Sequence, residues 1–390
     1  MTCLALHTRA KASQCAAPAG LSPPLSARDT LGFDLGWAHA RYGVTPWLPF
    51  ACESSSLRSG MAAGRAMRGA RPLAATRPVQ LWLRLRLQAW ALGCSVEPIQ
   101  VTPRYLEQLE ASHCPVTRSP MALSSLLNDE AVFAPVRQDA AYAAGNLAVL
   151  SAKAQRARQG IGWADALEVS RGPAAASGGV GGLSAAQWAR AAVLGSFVEP
   201  LTHEQACAQP LLVLPPNRLR LLNSAQALQA FISRQLLAPG WSLRMSRIEA
   251  LLPARTAQRS FQTFFHALLP RVLEVGRNPA AHELRWAIED AWRCALVQQR
   301  WVAFAHQLSA AHCEALVVRA HAKRLGQGFP HALDDRAAVD GWGLAQQGRF
   351  DGSGAVDQVS LPRNRRAEPI RQAWPRAHPA QRDMLLDLTA

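Results

Sequence analysis

Lysine is nearly missing from this chain: Lys11, Lys153 and Lys323 are the only three in 390 residues. Acidic residues are also scarce, 27 against 42 basic ones, so arginine carries almost all of a net charge of +15. Together with abundant Ala, Leu and Gly, this is what a GC-rich coding sequence produces, and the charge alone names no partner. A basic surface draws polyanions, nucleic acid first and anionic membrane second. No two cysteines form a CxxC pair. That excludes zinc-ribbon spacing and suits a reducing compartment, where thiols sit as small apolar residues. No uncharged apolar run reaches about 18 residues, so no transmembrane helix and no membrane partner are expected. At the N-terminus a short apolar patch precedes basic residues, the wrong order for a secretory signal, and the expected address is cytoplasmic. Walker loop, dinucleotide fingerprint, G-x-S-x-G elbow and solenoid repeat are all lacking.

What is present is a folding chain. Half of it is hydrophobic and 18% is charged, the opposite of a disordered composition, and it is long enough for more than one domain. Residues 1–28, rich in Ala, Ser and Pro, read as disordered. Asp29 to Tyr42 reads as a short helix capped by Asp29, with Leu31, Leu35 and Trp37 facing inward. Seven arginines and no acid lie from Arg58 to Arg86. The second half of that stretch, from about Thr76, reads as a helix with Arg84 and Arg86 outside, either simply solvated or facing phosphate. Thr102 and Pro103 are cap and first-turn residues of another helix. The Gly/Ala-rich segment 171–184 reads as a flexible linker between a helical region, 29–170, and a helical domain, 185–325. In the latter, helical periodicity runs over about 184–196, 224–237, 244–252 and 257–275. The proline-free stretch from Pro279 to Leu325 reads as one long helix, or two broken near Ser309. Residues 326–390 read as loosely ordered, with a helix near 379–388. The expected fold class is mainly α and multi-helical, with one small ββα insert.

That insert is residues 113–158. Cys114-Pro115-Val116-Thr117 with Pro120 makes a tight turn. Ala131 to Val136 is a short apolar strand, and Asp139 to Tyr142 a turn. Gly145-Asn146 offers a residue that tolerates positive φ. Leu147 to Leu150 is a second strand, and Ser151 caps a basic helix bearing Lys153, Arg156 and Arg158.

The joined pattern resembles the HNH (His-Me finger) endonucleases over this segment alone. CPVTRSP resembles their opening C-x-x-T-G-x-P. Asp139, Tyr142, Gly145, Asn146, Leu147, Val149, Ser151, Ala154 and Arg158 match the spacing of the closing D-x-G-Y-x-x-G-N-V-x-V-x-S-x-x-A-N-x-x-K. The resemblance implies metal-assisted phosphodiester hydrolysis. A histidine ending the first strand activates water, the central asparagine orients it, and an acidic residue with a helix His or Asn holds one divalent metal. Here Asn146 stands at the central asparagine and Gln155 at the helix ligand. The first strand has no histidine, and His113 precedes Cys114.

The finger is therefore read as degenerate and inactive, in a nucleic-acid-associated protein, DNA ahead of RNA. The alternatives are an active nuclease using Mg²⁺ or Mn²⁺, with Asp139 and Asn146 as catalytic candidates and Asp139, Gln155 and His113 as metal candidates, or a helical scaffold with no nucleic-acid role. Expected phosphate contacts are Arg137, Lys153, Arg156, Arg158, Arg84 and Arg86, which carry no sequence preference of their own. His203 and Cys207, four apart, lack a second pair of ligands and read as core or surface residues.

Overall fold

The computed structural model describes residues 26–46, 55–68, 72–121, 130–173, 179–325, 339 and 341–350. Most of the expected disordered N-terminus and the expected helix near 379–388 lie outside them.

Helix α1 (Ala27–Tyr42) is capped by Ser26, whose Oγ accepts the Asp29 amide. Asp29 is one turn into the helix, not the cap: its carboxylate accepts the Ser26 hydroxyl at 2.6 Å. Leu35 is buried as expected, whereas Leu31 is 36% exposed. The facing helix α2 (Ser55–Arg68) sets Leu57, Gly60, Met61 and Gly64 on one face: Leu57 is fully buried, and the glycines bring the backbones close. A Cβ on Gly36 would stand 2.1 Å from the Leu57 carbonyl oxygen, and one on Gly60 1.9 Å from that of Phe33. The two backbones thus touch where any side chain would wedge them apart.

Helix α3 (Arg77–Ala91) is packed on two sides. Leu81, Leu85 and Ala89 join the main core, while Leu87 and Trp90 meet Leu35 and Leu57 in a smaller one. The short helix α4 (Pro103–Glu107) starts as expected, with the Thr102 hydroxyl accepting the Tyr105 amide.

The one sheet among the described residues is an antiparallel pair, β1 (Ala131–Pro135) and β2 (Leu147–Ser151), in register from Ala131↔Ser151 to Pro135↔Leu147. All five β2 residues are buried. Helix α5 (Ala152–Arg158) follows without a loop, because the Ser151 side chain caps it by accepting the Ala154 amide.

Beyond lie α6 (Trp163–Arg171), α7 (Ala185–Ser196), α8 (His203–Ala208), α9 (Ser224–Gln235), α10 (Trp241–Glu249) and α11 (Arg255–Leu273). No domain boundary appears at 171–184. Helices α6 and α7 pack on each other, and one continuous core holds residues from both sides of the segment. Its described part closes tightly, with Val180 bridged to Leu183 and the Val180 carbonyl accepting the Trp188 indole.

The stretch after Pro279 is three helices rather than one or two: α12 (Ala281–Ala291), α13 (Ala295–Ala305) and α14 (Ala310–Ala322). The break at Ser309 falls where expected, with Ser309 capping α14. The additional break, at Trp292–Cys294, turns Trp292 into the core, where its indole donates to Ser233 Oγ. The Gln298 side chain satisfies the carbonyl left open at Trp292. Phe261, Phe264, Trp292, Trp301 and Phe304 interlock there with ring centroids 5.3–6.4 Å apart, a spacing at which aromatic pairs attract.

Residues 341–350 overturn the expectation of loose order for that part of the C-terminal region. Trp342 is fully buried, its carbonyl accepts the Ala141 amide at 2.7 Å, and its indole donates to the Ala144 carbonyl at 3.1 Å. The segment thus clamps the loop that joins the two strands.

Candidate functional site

The turn before the hairpin is organised by Cys114. Its backbone exchanges hydrogen bonds with Arg118 and Ser119, and its buried Sγ accepts from the Ser151 amide and hydroxyl at 3.3 and 3.4 Å. Thr117 Oγ1 meets Ser151 Oγ at 3.3 Å. The start of α5 is thereby tied to a turn more than thirty residues earlier.

Arg118, at the pattern's glycine position, has φ 60. An L-residue held there forgoes about 1–2 kcal/mol. The side chain offsets this with two bonds to Asp290, at 2.7 and 2.9 Å, and one to the buried Glu289 at 3.1 Å. Glu289 also accepts from Arg285 and from the Leu214 amide, so the turn is bolted to α12. Nearby, buried Arg190 donates to the Val116 carbonyl, and burial pushes its guanidinium down to about 10.

Asn146 is the most completely used side chain of the hairpin. It is 0% exposed. Its Oδ1 accepts the Arg137 amide at 2.8 Å, and its Nδ2 donates to the carbonyls of Arg137 and Ala141, each at 3.1 Å. The loop folds over Asn146 because Gly145 takes φ 84 and donates its amide to the Tyr105 hydroxyl.

The residue held by Asn146 is therefore Arg137, just past β1. Its guanidinium chelates Asp139 at 2.9 and 3.2 Å and reaches Glu199 at 3.2 Å. Burial draws the Arg137 guanidinium down, but its two carboxylates outweigh this and hold it above the ordinary arginine value. Burial raises the Glu199 carboxyl; Arg137 opposes the rise and Asp139 adds to it.

Asp139, Asn146 and Arg137 thus come together, but as a structural clasp. The other candidates disperse. Arg158 is 3% exposed and donates to the Val136 carbonyl, with its second terminal nitrogen buried and unpartnered. Burial pushes it down to about 10. It does not share a surface with Lys153 and Arg156, which corrects the expected fan of three phosphate contacts. Gln155 Oε1 is likewise buried without a partner. Gln138 joins the hairpin to the end of α5 through the Arg158 and Ile161 carbonyls and the Gly160 amide.

His113 packs away from Asn146, stacked on His282 of α12. Arg84 and Arg86 are half-buried on α3 rather than outside it, and the Arg86 guanidinium sits over the Trp82 ring at 4.6 Å. Lys153 and Arg156 of α5 are exposed.

The metal candidates do not converge. Asp139 is held by Arg137 and His113 by His282, and among the described residues no group of three His, Cys, Asp or Glu side chains could hold a metal ion. His203 Nε2 contacts the Leu308 carbonyl and Cys207 Sγ, in keeping with a packing role. No described helix is long and apolar enough to cross a membrane.

The chain matches no family model, no curated protein and no solved structure.

Sequence reasoning missed Glu199 and the Arg118–Glu289–Asp290 network. Glu199 has no local signal. The Arg285–Glu289 pair carries one, an i,i+4 arginine and glutamate on a single helix, the spacing at which helical charges meet.

Proposed function

We propose that this protein associates with nucleic acid, DNA ahead of RNA, through the exposed side of α5, and that its HNH-like hairpin and helix serve as the mount for that surface rather than as a working nuclease centre. The carrying observation is the pairing state of the basic residues. Arg118, Arg137 and Arg285 are each tied to carboxylates. Lys153 and Arg156 are exposed on a helix with no acidic residue and have no carboxylate partner among the described residues. Unpaired cations on a rigid element are what phosphate contact requires. The Cys114–Ser151 tie supplies the rigidity.

The same reading gives Asn146 and Asp139 a structural part. Every polar atom of the Asn146 side chain is in use within the hairpin, and Asp139 neutralises Arg137. Loss of a general base alone lowers a rate by about 10²–10⁴, and neither β1 nor the two residues after it, Val136 and Arg137, include a histidine.

The test is fluorescence anisotropy of a labelled duplex at low and at moderate salt. Binding that weakens steeply with salt supports the reading, because cation–phosphate contacts release counterions. Affinity that is absent, or flat across that range, rejects it.

A further inference from the structure

His113 and His282 come from separate elements, the turn before the hairpin and the first turn of α12. Their rings stack with centroids 4.6 Å apart and an interplanar angle of 22°. Both stand against Trp286, at 5.2 and 4.8 Å with steep interplanar angles of 86° and 72°. The only hydrogen bond of either imidazole to a described residue is between His113 Nδ1 and Ser112 Oγ. No carboxylate of a described residue is bonded to either ring.

The surrounding charges can be named. From the turn, Arg118 places its guanidinium over Trp286 at 5.5 Å and is held by Asp290 and Glu289. On α12, Glu283 is used in accepting the Ala280 amide, and Arg285 is paired with Glu289. Arg190 of α7 lies behind the turn on the Val116 carbonyl. Each of these carboxylates is thus engaged within the protein, and Arg118 is paired with its own two. Two stacked imidazoles attract while neutral. With both protonated, two like charges face each other across ring centroids 4.6 Å apart.

We propose that the His113–His282 stack is an acid-released clasp, holding the Ser112–Arg118 turn on α12 while the rings are neutral and letting that contact go as they take up protons. The inference does not depend on nucleic-acid binding. Its readouts are internal to the protein, so it can fail or stand whichever way the α5 surface behaves.

Burial, and secondarily His282, holds the His113 imidazole below the ordinary histidine value. A lowered histidine contributes stability above the ordinary value that is lost as pH falls through the folded one. The contact therefore weakens on the acid side of neutrality.

The experiment is a histidine-resolved NMR titration of the full chain from pH 8 to pH 4.5, with the indole resonance of Trp286 followed in parallel. Spectra of His113→Gln, His282→Gln and Trp286→Phe proteins assign the signals. The expected result is that the Trp286 indole shifts with the same midpoint as His113, and that His282→Gln moves the His113 midpoint upward. His282→Gln should also leave the Trp286 shift with less than half its amplitude. Far-UV circular dichroism at each pH separates local release from general unfolding. A Trp286 indole indifferent to pH in the folded wild type, or a His113 midpoint unmoved by His282→Gln in a folded variant, overturns the proposal.

Discussion

Asn146 holds the Arg137 backbone by both of its polar groups, accepting the amide at 2.8 Å and donating to the carbonyl at 3.1 Å. An asparagine used this way cannot be removed quietly. Asn146→Ala leaves the Arg137 amide and the Arg137 and Ala141 carbonyls without this partner inside the protein. The expected loss is on the order of 3 kcal/mol. Urea denaturation followed by tryptophan fluorescence measures it. A loss below about 0.5 kcal/mol, the range of ordinary surface changes, would show that the clasp is unimportant.

Arg118 separates a backbone demand from a side-chain use. Arg118→Ala and Arg118→Gly both delete the contacts to Glu289 and Asp290, but only glycine is relaxed at φ 60. Both variants are less stable than wild type. The glycine variant should be the better of the two by roughly 0.5–1 kcal/mol, after allowing for the looser unfolded glycine chain. Thermal unfolding of the pair decides this, and an alanine variant equal to or above the glycine one contradicts it.

Acid should destabilise the protein through His39 on α1. Burial, opposed only in part by the Val44 carbonyl, lowers this imidazole to about 4, and its Nε2 is buried without a partner. Because the folded value lies below the ordinary one, the stabilisation is complete above about pH 6.5 and is lost as pH falls from there through 4. The gap between the two values corresponds to about 3 kcal/mol. His39→Asn removes this proton uptake, so its stability falls less between pH 7 and 4.5 than that of wild type. Parallel curves for the two proteins over that range contradict the assignment.

Among the described cysteines, Cys294 should react first. The amides of Val297 and Leu296, with Arg271 beside it, favour its thiolate, and the thiolate is the reactive form. Burial pushes Cys207 up to about 11 and Cys313 up to about 12, and it also raises Cys94. Brief iodoacetamide treatment at pH 7 with peptide mass spectrometry should find Cys294 labelled ahead of Cys94, Cys114, Cys207 and Cys313. Faster labelling of Cys114 or Cys207 would mean that the core around them opens.

Local signals in the sequence gave good account of local structure. Thr102-Pro103, Ser151 and Ser309 each start a helix, because a cap is a short-range bond between a side chain and nearby amides. The order strand, strand, helix was visible in the two short apolar runs on either side of the Asp139–Asn146 turn region and in the Ser151 cap. Helix α2 was not, since half of its inward face, Leu57-Gly60-Met61-Gly64, is glycine, and a hydrophobic pattern cannot register an absent side chain. The extra break at Trp292–Cys294 and the burial of Trp342 depend on partners far along the chain, which local periodicity does not encode. Arg158 misled for a related reason: a basic residue four after Ala154 reads as surface, yet its head group is drawn inward by the Val136 carbonyl.

Lys153 and Arg156 carry the proposed duplex contact, and the salt dependence of binding reads that contact out. Each phosphate contact contributes about 0.9 to the slope of log K against log salt. Wild type should bind a labelled duplex with a steep negative slope, and Lys153→Glu/Arg156→Glu should weaken binding at least about tenfold and flatten the slope by about 2. A double variant that stays folded and binds with the wild-type affinity and slope would contradict the account.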